Sequence, residues 1–265
     1  MSISRIFSVE GRKALVTGGA SGIGLAVAEA LAENGASVTL LDQNEEALRL
    51  EVGRLKAAGY AVDGVVGDVS RQDIKGVIAS AIDRLGGLDI VFANAGISGG
   101  YGAGLDPVVG AIENLDPEIW HRTLAVNLGG VVSTLQAVTP VLKAQRSGKI
   151  VVTSSIAGLR ANISIGYAYT ASKSAVALLT KALALELAPF GVQVNGLAPG
   201  PFKTNINERR FHIPENEAAQ AAKVPLGRLA QPDEIKGLAL LLSSSASSYI
   251  TGAVIPIDGG VTAGV

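Results

Sequence analysis

An alternation runs through the whole chain. Short apolar segments rich in β-branched residues, KALVT, SVTLLD, AVDGVVGD, LDIVFANAG, GKIVVTSS, VQVNGLAPG and AVIPID, are separated almost everywhere by stretches of helical composition. Neighbouring strands joined by helices are parallel, because a parallel pair needs a crossover long enough to bring the chain back. Strands that are apolar almost throughout need helices on both faces of their sheet. The expected class is therefore α/β, a doubly wound sheet of about seven parallel strands. No charge block, Pro/Ser-rich run or low-complexity tract interrupts the pattern, so residues 1–265 read as one domain. Ligands of such sheets bind beyond the carboxyl ends of the strands, which here are Thr17, Asp42, Asp68, Asn94, Ser155 and Pro199.

Charge and composition narrow the ligand class. With 22 basic and 23 acidic residues and a net charge of -1, the chain has no basic footprint for nucleic acid or an anionic membrane surface. It has no cysteine, and its two histidines, His121 and His212, lie far apart, so no metal site is expected. The opening MSISRIFSVEGRK lacks the apolar core of a signal peptide, and no uninterrupted apolar run reaches the roughly 18 residues of a membrane span. The expectation is a soluble cytoplasmic protein whose partners are small molecules, with no nucleic acid and no membrane.

The first strand end reads LVTGGASGIGLAVAEALAENG. Gly18, Gly22 and Gly24 follow a strand and open a helix, where bare backbone and helix-start N–H groups can meet a pyrophosphate. The spacing, Gly-x-x-x-Gly-x-Gly, differs from the common dinucleotide fingerprint. Asp42 ends the next strand, where a carboxylate can accept hydrogen bonds from adenosine ribose hydroxyls. Asp42 and Glu45 also fit a D-x-x-E capping box for the helix through EALRLEVGRL.

YTASK, Tyr169 to Lys173, stands before the Ala/Leu-rich SAVALLTKALALELA, so the phenol and the ammonium share one helix face at i and i+4. The ordinary reading is a packed Tyr with a Lys snorkelling past it. The chemical reading is a base: an ammonium about 5 Å away at effective dielectric ~20 favours phenolate by about 3 kcal/mol.

TGGASGIG, GDV from Gly67, NAG from Asn94, Asn127 in AVNLGG, Ser154-Ser155, YTASK and PGPFKT from Pro199 occur in one order, and over about Arg12 to Gly260 the chain resembles the short-chain dehydrogenase/reductase family. The resemblance implies a single-domain Rossmann-like fold and an NAD-linked oxidoreductase. It implies Tyr169 as general acid/base and Lys173 as the residue that lowers the pKa of Tyr169 and holds the nicotinamide ribose. Ser155 is implied as the hydroxyl on the substrate oxygen, and Asn127 as the anchor of a water leading protons from Lys173 to solvent. Cofactor contacts are implied at Gly18, Ser21, Gly22, Ile23, Gly24, Asp42, Asp68, Val69, Asn94, Ala95, Gly96, Tyr169, Lys173, Pro199, Gly200, Phe202 and Thr204. Ser154 and Tyr167 are rivals for the serine and tyrosine roles, but Tyr167 has Ala171 where a cation would be needed.

Substrate identity falls to two segments. Residues 97–115 form a pocket wall or a tolerated surface loop, and 200–230 a lid over the substrate. Arg209 and Arg210 form a carboxylate clamp or a solvated pair. The expected reaction interconverts a secondary alcohol, such as a polyol, sugar acid or small cyclic alcohol, and its ketone. The alternatives are a 3-oxoacyl-thioester reductase and a non-catalytic NAD-binding module. Ser21, and the lack of a cation from Gln43 to Glu46, favour NAD over NADP. A homotetramer is expected, because the resemblance implies it and the helix from Ala171 to Ala188 is apolar around most of its circumference.

Overall fold

The computed structural model describes residues 3–206 and 210–264. After a short first helix, α1 (Ile3–Ile6), its strands are β1 (Lys13–Thr17), β2 (Ser37–Asp42), β3 (Val62–Val66), β4 (Ile90–Ala93), β5 (Gly148–Thr153), β6 (Val192–Pro199) and β7 (Val254–Ile257). They form one parallel seven-stranded sheet in the order β3-β2-β1-β4-β5-β6-β7. The sheet grows outward in both directions from β1 and β4, so the crevice between their carboxyl ends is the place where a ligand fits.

Side chains alternate across this sheet into two cores. Ala14, Val16, Leu40 and Phe92 face α2 (Gly22–Glu33), α3 (Glu45–Ala57) and α9 (Lys236–Ser243). Leu15, Leu41, Val91 and Ile150 face α4 (Ile74–Leu85), α6 (Gly130–Gln145) and α7 (Tyr167–Leu187). Each fully buried Leu, Ile or Phe contributes roughly 1.5–3 kcal/mol. Helix α2 sits close to the sheet because its buried face is Gly24, Ala26, Val27, Ala28, Ala30, Leu31 and Ala32.

Helix α3 corrects one sequence reading. Its cap is Asn44, whose side chain accepts from the Ala47 N–H at 3.0 Å, so the Asp42–Glu45 capping box does not form. Asp42 instead accepts from the backbone N–H groups of Ala20 at 3.1 Å and Asn44 at 3.0 Å. Ahead of α6, α5 (Pro117–Leu124) leads into a π-turn over Ala125–Gly129, which the helical periodicity had concealed. Among the described residues this composite helix, Pro117–Gln145, is the one long and apolar enough by length and composition to cross a membrane. It is not an uninterrupted apolar run, since His121, Arg122 and Asn127 lie within it. Val131, Leu135, Val138 and Leu142 bury its α6 part in the second core.

Two excursions flank the crevice. The 97–115 segment folds back on the residues before α7: Tyr101 bridges Ile165, and the N–H groups of Gly102 and Gly104 donate to the carbonyls of Ser164 and Ile163. The 200–230 segment is closed at its base by a bridge between Phe202 and Ala230. It carries α8 (Pro214–Ala221), tied back by a Lys203–Glu217 ion pair at 2.7 Å. Arg209 and the side chain of Arg210 lie outside the described residues.

Candidate active site

The glycine turn between β1 and α2 is built from backbone. Gly18 and Gly22 have φ of +66° and +55°, in the left-handed region that side chains disfavour. A Cβ at Gly24 would come within 2.0 Å of the Gly18 carbonyl oxygen, so no other residue fits there. Ser21 is the N-cap residue of α2, but its side chain makes no capping bond to the first-turn N–H groups. Those donors, with Ile23 beside them, suit a pyrophosphate. Thr204 approaches the turn from the lid, 3.4 Å from where a Gly22 Cβ would stand.

Behind the turn lies a brace that sequence reasoning missed. The Asn94 amide donates to the carbonyls of Thr17 at 3.1 Å and Gly18 at 3.4 Å and accepts the Thr153 hydroxyl at 3.0 Å. The Thr17 hydroxyl accepts from the N–H groups of Asn94 and Ala95. These bonds stitch together the ends of β1, β4 and β5, so the Asn94 side chain serves the scaffold and leaves the backbone of Ala95 and Gly96 along the crevice. A Thr or Asn at a strand end gives no local sign of such a partner.

The other expected cofactor residues divide into scaffold and surface. Asp68 accepts from the Ser70 N–H and hydroxyl at 2.9 and 2.7 Å. Val69 is buried, packed so closely on Gly130 that a Cβ there would approach it to 2.5 Å. The Phe202 side chain is buried in the first core, so only its backbone can face the site. After Pro199, the Gly200 N–H donates to the Ile257 carbonyl at 2.9 Å. A Cβ on Gly200 would meet Asp258 at 2.7 Å.

Tyr169, Lys173 and Ser155 come together at the end of β5. The Lys173 Nζ stands 5.7 Å from the centre of the Tyr169 ring and donates to the Thr153 carbonyl at 2.8 Å. Ser155 accepts from the Ala157 N–H at 3.1 Å and lies within hydrogen-bonding reach of the phenol. The Ser154 hydroxyl donates to the Lys173 carbonyl at 2.8 Å, whereas the Ser155 hydroxyl reaches the Pro199 carbonyl only at 3.5 Å, which leaves Ser155 the freer of the two. Tyr167, the rival tyrosine, opens α7 and is exposed.

The electrostatics correct the sequence argument. Burial pushes the Tyr169 phenol up, and the hydrogen bond from Ser155 offsets only part of that rise. Burial also lowers Lys173 to about 8, so its charge is itself weakened. In the protein alone, desolvation sets the direction of the phenol shift, opposite to the one expected from the ammonium. Tyr169 as a whole residue is half-buried, so solvent moderates the rise.

Asn127 lies buried in the π-turn. Its Oδ1 accepts from the Ile97 N–H at 2.8 Å, and its Nδ2 donates to the Ile97 carbonyl at 3.0 Å and to Ser172 Oγ at 3.3 Å. Both N–H groups and the carbonyl oxygen are thus in use within the protein, and the side chain acts as a clamp on the start of the 97–115 segment. Gly96 fits between Asn127 and Lys173, its Cβ position 3.4 Å from both Asn127 Oδ1 and Lys173 Nζ.

A family model described as enoyl-(acyl carrier protein) reductase matches residues 18–262. The human dehydrogenase/reductase SDR family member 4 is 34% identical over 249 residues, 93% of this chain and 86% of that protein. A gluconate 5-dehydrogenase from Burkholderia cenocepacia, solved with NADP and tartrate, superposes with a TM-score of 0.91 at 35% identity over 100% of both chains. A 3-oxoacyl-[acyl-carrier protein] reductase from Brucella melitensis with bound NAD gives 0.85 at 35% identity, covering 98% of this chain and 96% of that one. The chain belongs to the short-chain dehydrogenase/reductase family. It is an oxidoreductase of that family, and a nicotinamide dinucleotide is its class of cofactor.

Proposed function

We propose that this protein interconverts a secondary alcohol and its ketone with NAD, acting on a polyol, a sugar acid or a small cyclic alcohol. The observation that carries this reading is the convergence of Ser155, Tyr169 and Lys173 beside a glycine turn that only bare backbone can form. When bound, the nicotinamide supplies the hydride acceptor or donor. Tyr169 exchanges the proton of the substrate oxygen, because its phenol is the titratable group that pairs with Ser155. Ser155 holds that oxygen by a hydrogen bond. Lys173, fixed by the Thr153 carbonyl with its Nζ 5.7 Å from the centre of the Tyr169 ring, has donors left that would hold the nicotinamide ribose.

The tartrate bound by the Burkholderia relative supports a hydroxy-acid substrate. A 3-oxoacyl thioester is the second reading, supported by the Brucella relative and by the description of the matching family model. The exposed face of α7 supports a homotetramer, and the absence of cysteine is compatible with a cytoplasmic location.

Cofactor choice rests on Asp42. Two backbone N–H groups hold its carboxylate beside the glycine turn, where a 2′-phosphate would be repelled by about 3–4 kcal/mol per unit pair at effective dielectric ~20. The kcat/KM for NAD should therefore exceed that for NADP by about two orders of magnitude. The test follows reduced-cofactor absorbance with polyols, hydroxy acids, cyclic alcohols and a 3-oxoacyl thioester. Asp42→Ala with Gln43→Arg should shrink or reverse the preference. Equal native use of both cofactors would remove Asp42 from the ribose, and absence of turnover across the panel would leave a non-catalytic binding module as the better reading.

A further inference from the structure

The Ser172 hydroxyl sits fully buried on α7 between Tyr169 and Lys173. It donates to the Tyr169 carbonyl at 2.8 Å and accepts from Asn127 Nδ2 at 3.3 Å. A serine bonding back to a carbonyl of its own helix is ordinary. The second bond is not, since it crosses from α7 to the π-turn and reaches a side chain that grips Ile97 with both its oxygen and its nitrogen.

We propose that Ser172 is a positioning residue of the reaction, fixing the Asn127 amide and through it the spacing between the catalytic turn of α7 and the start of the 97–115 segment. The proposal rests on the oxidoreductase reading above. An amide can turn over and exchange its oxygen and nitrogen, so a buried one is ordered by the demands made on each end. The Ile97 N–H demands an acceptor. The Ser172 hydroxyl has committed its proton to Tyr169, so it demands a donor. Both demands select one orientation. Without the hydroxyl, one Asn127 N–H is buried with no partner, an arrangement that relaxes only by moving the amide or the π-turn. The Gly96 backbone follows, because it is packed between Asn127 Oδ1 and Lys173 Nζ.

The test compares native protein with Ser172→Ala in two ways. Hydrogen exchange at the Ile97 amide, whose acceptor is Asn127 Oδ1, should quicken about tenfold, the equivalent of one hydrogen bond, while exchange in β1 and β2 stays unchanged. Turnover should fall about tenfold with cofactor KM nearly constant, and in an Asn127→Ala background the same change should lower kcat by less than about twofold. Unchanged Ile97 exchange, or fully additive losses in the double variant, would overturn the proposal. Ser172→Cys, a weaker donor and acceptor of similar size, should shift both readouts in the same direction by less, and it serves if the alanine variant does not fold. The exchange arm needs no substrate, so it decides the positioning role even if no alcohol or ketone is turned over.

Discussion

Lys173 carries its charge into a site that offers little in return. Lys173 is 2% exposed, it donates to the Thr153 carbonyl, and among the described residues no carboxylate pairs with it. Burial alone brings it to about 8 from the usual 10.5. A folded pKa below the unfolded one means that the unfolded chain holds the proton more tightly, so folding gains stability as pH rises from about 8 to 10.5. Below that window the buried charge opposes folding by at most about 3 kcal/mol, at 1.36 per pKa unit. Lys173→Met should therefore be inactive yet more stable than native protein at neutral pH, with the advantage fading toward pH ~10. Lys149 titrates in the same window but is present in both proteins and cancels. Denaturant unfolding of the pair at both pH values checks this, and an advantage unchanged at high pH would contradict it. The Tyr169–Lys173 pair was legible because i and i+4 share a helix face whatever the fold. The sign of the phenol shift was not, because desolvation depends on neighbours distant in the chain. Ser172 and Thr153 were equally silent, each being a short hydroxyl whose partner is chosen by tertiary packing.

Among the elements, α7 sets the tolerances of the site. The 3-10 turn Ile156–Gly158, which follows Ser155, packs on it so closely that a Cβ at Gly158 would lie 2.3 Å from the Lys173 carbonyl oxygen. Gly158→Ala should push this turn and Ser155 away from Tyr169, lowering kcat by about tenfold or more and stability by roughly 1–3 kcal/mol, as overpacking does. Steady-state kinetics and thermal unfolding would show both effects, and an alanine variant equal to native protein would mean that the turn is free to move. The strands were readable because parallel strands buried on both faces are apolar throughout, and the residues named at their ends lie at or just beyond them in the structure. The π-turn was hidden because AVNLG keeps helical periodicity and contains no proline. The cap of α3 was misplaced because Asp42 and Asn44 are both good caps, and only the folded turn shows that Ala20 competes for Asp42. The pairing of residues 101–104 with 163–165 was not legible, because it joins two segments with no strand pattern of their own.

For the whole molecule, the order of strands brings the glycine turn, the start of α7 and the 200–230 segment to the carboxyl end of one sheet; the alternation of elements implied the parallel sheet but not that order. The proposed tetramer rests on the family resemblance and on excess apolar surface. Leu178 and Leu185, one face of α7, are 69% and 81% exposed. Light scattering should report a tetramer at micromolar concentration, and Leu178→Glu with Leu185→Glu should dissociate it; a native monomer would remove the interface. The account depends most on Tyr169 as the proton-transfer group, and Tyr169→Phe tests it directly because the ring and its packing remain. With the best substrate of the alcohol and ketone panel, absorbance of the reduced nicotinamide should show turnover falling by at least about 10²-fold while NADH binding persists. Turnover near the native rate in that variant would contradict the account.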